Sequence, residues 1–385
     1  MNEFVFTYPT AVYFGKDAAK KHLKDALKGV KKVMLVTGGG SVKKTGIFDD
    51  IMNLLQDVEV VEFAGIPSNP TWSKVQEGAR LAKQEGVDFI LALGGGSVID
   101  ASKIIAAQAA TDENYWNAFV HEHRLPREAP LPLGAIVTAS GTGAEMNGGA
   151  VITNEDEQVK TGVFAKAPVF AILDPSYLNT VPVMQVFSGA FDTWCHALES
   201  YLGVSEGRNI TDDLSLAVME NTIANMEKLK KDLYDENARG NLEWDSAMAE
   251  NGILKVGKPT CFQVHMIEHQ LGAFTDCSHG QGLAVLEPAY LRYIAKSDPA
   301  KLARMFRAVF HVGNPDNEQA IEEGLQALEA FIASCGLPTR LKDLRSRVEI
   351  TDEILDKIAD TAVIVSTGPV TLNREDIRAI LEACK

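Results

Sequence analysis

The sequence predicts two structural classes in one chain: an α/β domain built on a parallel sheet, followed by an all-helical domain. Three observations carry this. Short apolar runs alternate with amphipathic windows through the first half, and after Asp174 only helical spacing continues. Between the two textures, Pro175, Pro182 and the polar run at 177–180 (YLNT) break any continuing element. The domains are therefore 1–180 and 181–385. A chain of 385 residues is long enough for two cores without disulfide staples, at roughly 150 residues per domain.

Taken in order, the runs at 33–37 (VMLVT), 58–63 (VEVVEF), 89–93 (FILAL), 135–138 (AIVT) and 169–173 (VFAIL) read as buried strands. Helical windows fall between several of them, at 17–27, 46–55, 73–85 and 97–109. Strands alternating with helices of this length form a parallel sheet covered on both faces. That architecture accommodates a dinucleotide, although a fold by itself proves no function. In the second half the helical windows are 210–229, 244–256, 318–333 and 351–365.

Charge removes several partner classes. Acidic residues number 52 against 37 basic ones, a formal charge of -15, and no basic run offers to neutralise phosphates, so neither nucleic acid nor an anionic membrane is an expected partner. Residues 1–180 hold 17 basic and 21 acidic side chains, and 181–385 hold 20 and 31. The acid excess thus sits mainly in the helical half. No window approaches the 18 or so consecutive apolar residues of a membrane span, and Met1-Asn2-Glu3-Phe4 does not open a secretory signal. Five cysteines without a CxxC pair suit reduced thiols. A cytoplasmic location is expected.

Three glycine- or hydroxyl-rich turns follow strands. Gly94-Gly95-Gly96-Ser97 leads into a helix, where glycines let backbone approach a ligand and free N–H groups could meet a pyrophosphate. The bland alternative is a tight turn with Ser97 and Asp100 forming a capping box. Gly38-Gly39-Gly40-Ser41 follows the run at 33–37; no carboxylate occurs until Asp49, whereas Ser41, Lys43 and Lys44 are near. An acid at such a strand end would grip ribose hydroxyls and repel a 2′-phosphate. Its lack leaves room and donors for NADP, or simply a flexible connection with solvated lysines. The third turn runs from Thr138 through Ser140, Gly141, Thr142 and Gly143 to Glu145.

Four of the eight histidines crowd one part of the helical half. Asp192 and His196 are four apart on a predicted helix, as are His265 and His269 on another, so each pair shares a face; His279 follows in a Ser-His-Gly step. Imidazoles with one carboxylate suit Fe(II) or Zn(II) with a coordination position left open for a substrate oxygen. A rival cysteine and histidine zinc set can be drawn from Cys195, Cys261 and Cys277, but Cys195 is turned about 100° from His196 on the helix, and small buried thiols are the plainer account. A single histidine on an amphipathic helix is usually structural; the paired spacing carries the inference. His22, His121, His123 and His311 read as surface.

The stretches GGGSxxD at 94–100, TxxGTGAE at 138–145, Asp174-Pro175, GAFDTxxHxLE at 189–199 and HxxxHxLGA with a following His-Gly at 265–280 resemble the iron-containing (group III) alcohol dehydrogenases over almost the whole chain. VTGGGSVKKTG at 36–46 is most similar to their NADPH-dependent butanol dehydrogenase branch. The resemblance implies the dehydroquinate synthase-like fold of that family, a dinucleotide domain plus a metal domain, in a homodimer. It implies Asp192, His196, His265 and His279 as ligands of Fe2+ or Zn2+. It places His269 near nicotinamide and substrate as a proton carrier, and Asn147 as a polar residue of the active site. Gly95, Gly96 and Ser97 would hold the pyrophosphate, with Gly94, Asp100, Thr138, Thr142 and Lys160 as further cofactor contacts. Gly38, where NAD-preferring members carry aspartate, and its neighbours Gly39 and Ser41 imply NADP(H).

The function implied is hydride transfer between NADPH and a small primary alcohol or aldehyde, such as butanol or butyraldehyde. Glycerol or polyol oxidation is an alternative substrate choice. A metal-dependent lyase of the dehydroquinate synthase type would need basic groups for a phosphorylated acid, yet between 251 and 283 only Lys255 and Lys258 are basic. A nucleotide-binding protein without catalysis is the third reading, and the intact ligand positions weigh against it.

Overall fold

The computed structural model describes residues 1–204 and 207–385. They divide into two compact units, Thr7–Val181 on one side and Met1–Phe6 with Pro182–Lys385 on the other. The first six residues therefore group with the helical unit, where the Asn2 amide donates to the Gly257 carbonyl at 2.8 Å.

The first unit contains β1 Ala11–Phe14, α1 Ala18–Ala26, β2 Lys32–Gly38, α2 Ser41–Lys44, α3 Ile47–Leu54, β3 Glu59–Ile66, α4 Trp72–Glu85, β4 Phe89–Gly94, α5 Gly96–Ala110, β5 Leu133–Val137, β6 Gly149–Asn154, β7 Val159–Phe164 and β8 Phe170–Leu173. Six strands form one sheet in the order β1-β8-β5-β4-β2-β3, every neighbouring pair parallel. All five strands expected from apolar runs are present, because a strand covered on both faces is apolar throughout; β4 is buried at each of its positions. One face packs Val33, Leu35, Leu91 and Leu93 against Leu23 and Ile51 of α1 and α3. On the other, a Cβ at Gly78 of α4 would lie 2.7 Å from Ile105 and 2.8 Å from Phe63, so only glycine lets α4 sit that close to α5 and β3.

Two features go beyond the expectation. β1 pairs with β8 at the sheet edge, and β6 and β7 form a separate antiparallel hairpin.

The second unit is helical, with no strand among the described residues: α6 Val183–Leu202, α7 Ile210–Lys231, α8 Glu236–Glu250, α9 Gln263–Thr275, α10 His279–Ile294, α11 Pro299–Val309, α12 Asn317–Ser334, α13 Asp352–Thr361 and α14 Arg374–Ala383. α6 is buried almost without break from Phe187 to Leu202, as expected of a helix that is apolar all round. Its Phe191, Trp194 and Tyr201 join Tyr290 and Phe306 in the core. The helix expected over 244–256 instead starts at Glu236, because Asp235 accepts the Ala238 amide as an N-cap, and its end precedes Gly252, held at φ +90°. The helix expected over 351–365 stops at Thr361.

Candidate metal centre and nucleotide turns

The spacing of α6 places Asp192, His196 and Glu199 along one buried face. α9 carries His265, Glu268 and His269, and α10 opens on His279. Glycines set how closely α10 starts against its neighbours. A Cβ at Gly280 would fall 2.1 Å from the Ser188 carbonyl of α6, and one at Gly282 would fall 2.8 Å from Glu268 Cγ of α9. The His-Gly step thus delivers His279 beside Asp192. α9 is flanked by two non-glycine residues in the left-handed region, Phe262 at φ +50° and Asp276 at φ +54°, a conformation that costs L-residues energy and persists only where the surroundings enforce it.

Four side chains converge. Asp192 Oδ1 lies 3.4 Å from His279 Nε2, 3.5 Å from His265 Nε2 and 3.7 Å from His196 Nδ1. The ligand atoms of Asp192, His265 and His279 all lie within 4.8 Å of one another, and the His196 and His265 rings stack at 4.5 Å between centroids. Asp192 Oδ1, His196 Nδ1 and His265 Nε2 are buried with no hydrogen-bond partner. Buried polar atoms in a native fold nearly always find one, so Asp192 Oδ1 and His265 Nε2, two of the three atoms in that close group, fit a cation, with His196 beside them but outside the group. Burial alone would raise the Asp192 carboxyl, yet the facing His196 and His279 hold it well below the usual carboxylate range. Burial works against charge on His265, but Glu199 and Asp192 draw its pKa up to about 10. His279 is raised, against burial, by Glu268 and Asp192, whereas burial wins at His196 and lowers it.

Behind these groups stand two carboxylates that the sequence reading did not single out. Glu199 Oε1 pairs with His265 Nδ1 and also accepts the His265 amide, while Oε2 accepts the Val264 amide at 2.9 Å. Glu268 Oε2 pairs with His279 Nδ1. Both glutamates are fully buried. A carboxylate on the far nitrogen fixes the tautomer and aims the near nitrogen at an ion. The signal was available: each glutamate sits three residues after a histidine on an apolar helix, where a buried acid needs a reason.

His269 is also buried, its ring 5.7 Å from that of His279 and 6.4 Å from that of His265 between centroids. No cysteine joins the cluster among the described residues. Cys261 instead lies 3.1 Å from Tyr290 Oη, and all five thiols are free and buried. Both lysines of this segment are engaged, Lys255 with Glu250 at 2.7 Å and Lys258 with Asp212 in a buried pair.

The expected nucleotide residues lie in the first unit. Gly38 and Gly94 end neighbouring strands, and Val98 packs under both, 3.4 Å and 2.5 Å from where their Cβ atoms would be. Gly95 and Gly96 face the third turn: a Cβ there would lie 3.1 Å from Ala139 Cβ and 2.4 Å from Thr142 Oγ1. A Cβ at Gly94 or Gly96 would thus clash outright, with Val98 and Thr142 respectively, and one at Gly95 would be a tight fit. Thr138 donates its amide to the Gly94 carbonyl at 3.0 Å. The capping box expected of Ser97 and Asp100 does not form, because α5 begins one residue earlier, on Gly96. Ser97 Oγ instead donates to the Ser68 carbonyl, and Asp100 accepts the Val151 amide at 2.9 Å and pairs with buried Lys103. Asn147 closes the same turn, accepting the Gly149 amide at 2.9 Å and donating to the Gly143 carbonyl at 3.3 Å. Lys160 is buried on β7. Gly39 has open space where a side chain would go, and Ser41 is the first residue of α2 after Gly40 at φ +102°.

The family model for iron-containing alcohol dehydrogenase matches residues 9–175, and that for the C-terminal part of the Fe-containing alcohol dehydrogenase family matches 186–384. A probable NADH-dependent butanol dehydrogenase of Bacillus subtilis is 36% identical, with 100% of each chain covered. The NADPH-dependent aldehyde reductase YqhD of Escherichia coli is 33% identical over 89% of each. The solved structure of NADH-dependent butanol dehydrogenase A from Thermotoga maritima superposes with a TM-score of 0.92 at 35% identity, covering 100% of this chain and 99% of that one.

Proposed function

The chain belongs to the iron-containing alcohol dehydrogenase family, and from that premise we propose that it interconverts a small primary alcohol and its aldehyde, with NADPH as the preferred hydride carrier and iron or zinc at Asp192, His196, His265 and His279. The convergence of Asp192, His265 and His279, with Asp192 Oδ1 and His265 Nε2 buried and without a hydrogen-bond partner, supports this reading most strongly. When bound, the ion supplies Lewis acidity toward a carbonyl oxygen, and the nicotinamide supplies the hydride.

The chain's own residues do the remainder. Glu199 and Glu268 hold the Nδ1 protons of His265 and His279, leaving Nε2 of each turned toward Asp192. His269 takes up or gives the substrate's proton at a ring nitrogen, its ring lying beside those of His265 and His279. Asn147, whose amide bonds Gly143 and Gly149, would orient substrate only by exchanging one of these partners. Gly38, Gly39, Ser41, Gly94, Gly95, Gly96, Ser97, Asp100, Thr138, Thr142 and Lys160 form the NADP(H) site, Asp100 by fixing the hairpin to α5.

Preference for NADPH is supported by the lack of a carboxylate at the end of β2 and by exposed Lys44. Named relatives use either nicotinamide. A neutral substrate is supported by Lys255 and Lys258 both being taken by carboxylates, which weighs against a lyase acting on a phosphorylated acid. Buried free thiols suit a reducing cytoplasm; no helix among the described residues is long and apolar enough to cross a membrane. A homodimer is expected as well.

The test is a cofactor and substrate panel, with butyraldehyde, glycerol and a sugar phosphate, on protein stripped by chelation and reloaded with Fe(II) or Zn(II). Butyraldehyde-dependent NADPH oxidation that returns with the ion is expected, and His265→Ala should abolish both metal retention and turnover. Full activity of a metal-free His265→Ala protein would overturn the reading.

A further inference from the structure

The strand beside β2 carries a carboxylate that engages one of the two lysines following the turn. Glu62 of β3 is in register with Leu35 of β2, three residues before Gly38, which at about 3.3 Å per residue is roughly 10 Å down the strand from the turn. Its Oε1 pairs with Lys43 Nζ, and the same ammonium lies 4.6 Å from the centroid of the Phe48 ring. Lys43 of α2 is thus engaged by Glu62 and by the Phe48 ring. Its neighbour Lys44 is exposed and pairs with no carboxylate among the described residues.

We propose that Glu62 is a specificity-determining residue: by engaging Lys43, which follows the 38–41 turn, it weakens the preference for a 2′-phosphorylated nucleotide and keeps NADH acceptable. This rests on the proposed NADP(H) site at that turn. The pair is nearly half exposed on both sides, at 45% and 39%, so its hold is weak and screened by salt. A phosphate dianion is a stronger acceptor for an ammonium than one carboxylate. Lys43 can therefore exchange partners when NADPH arrives, at an energetic cost that NADH never meets. Removing the Glu62 charge abolishes that cost and leaves Lys43 free for the phosphate.

Binding of 2′,5′-ADP and of 5′-AMP, measured by calorimetry at low ionic strength, tests this. The proteins are wild type, Glu62→Gln, Lys43→Met and the double variant, each checked for unchanged circular dichroism. Glu62→Gln is expected to tighten 2′,5′-ADP about fivefold, leave 5′-AMP unchanged, and lose the gain at high salt. The gain must vanish when Lys43→Met is added. No tightening, or equal tightening without Lys43, overturns the proposal. Wild type binding 2′,5′-ADP no better than 5′-AMP would instead overturn the NADPH preference; the effect of Glu62→Gln still decides the role of Glu62, since a freed Lys43 should then create a preference.

Discussion

Glu199 and Glu268 illustrate how much of the proposed centre depends on side chains that would never touch the ion. Each holds one imidazole by its far nitrogen, and Glu199 also takes two amides at the start of α9, so a single carboxylate fixes both a ring and its helix. Glu268→Gln keeps the shape but loses the charge, and metal affinity is expected to fall about 10- to 100-fold, read by competition with a chromogenic chelator; an unchanged affinity would remove Glu268 from the centre. In the first unit, Glu145 is a different case. Burial pushes its carboxyl up to about 7 from 4.5, with Lys103 opposing. Between those values the folded chain keeps a proton that the unfolded chain has already released, so stability falls as pH rises through the window and the full penalty stands above pH 7. The size is about 3 kcal/mol. Glu145→Gln should therefore lessen the decline in urea midpoint between pH 5 and pH 7, where Asp245, which burial raises to about 6, still contributes; above pH 6.5 the raised His265 adds its own decline in both proteins. Parallel declines in variant and wild type would contradict this.

Helix placement depends on glycines as much as on apolar faces. With a Cβ at Gly280 only 2.1 Å from a backbone oxygen of α6, the clash has no flexible side chain to yield, so Gly280→Ala must shift the first turn of α10 and His279 with it. Overpacking of this kind costs about 1–3 kcal/mol. The expected outcome is a lower melting midpoint together with substoichiometric metal and reduced turnover; normal metal content would show that α10 reaches Asp192 in some other way. Such contacts explain what the sequence conveys and what it conceals. Apolar runs such as FILAL gave the strands of the parallel sheet because both faces are covered, and the four-residue spacing of Asp192 with His196 put two side chains on one face. β1 escaped because it is a four-residue edge strand with two exposed ends, too short to show a period. The hairpin of β6 and β7 escaped because GAVITN and VKTGVF mix glycine and polar residues. Ser97 misled because a hydroxyl three residues before a carboxylate looks the same whether it caps a helix or, as here, lies inside one and reaches Ser68. The glutamate partners of His265 and His279 come from a different helix or turn in each case, and no local spacing encodes that.

At the scale of the whole molecule, the acid excess of the helical half acquires a physical meaning. Asp192, Glu199 and Glu268 are all buried there, burial pushes the Glu287 carboxyl well up, and buried Lys258 is already committed to Asp212. Buried carboxylates need compensation; protonated His265 and His279 supply part of it, and a divalent ion at the convergent site would take their place in the folded state alone. Binding only to the folded state stabilises by RT ln(1 + [L]/Kd), about 2.7 kcal/mol at a hundredfold excess over Kd. For a unit of roughly 200 residues, at about 2–4 °C per kcal/mol, chelation should lower the melting midpoint by roughly 5–10 °C. Hydrogen exchange should place the lost protection in α6, α9 and α10, since these carry the four proposed ligands. Because Asp192 and the histidines must be deprotonated to bind, and His265 otherwise holds a proton up to about pH 10, loading should release protons. Heats of binding should therefore depend on the ionisation enthalpy of the buffer. A midpoint indifferent to chelation, in protein from which metal had measurably been removed, would mean that the buried acids are compensated from within the fold, and that the ion serves the reaction without holding the helices together.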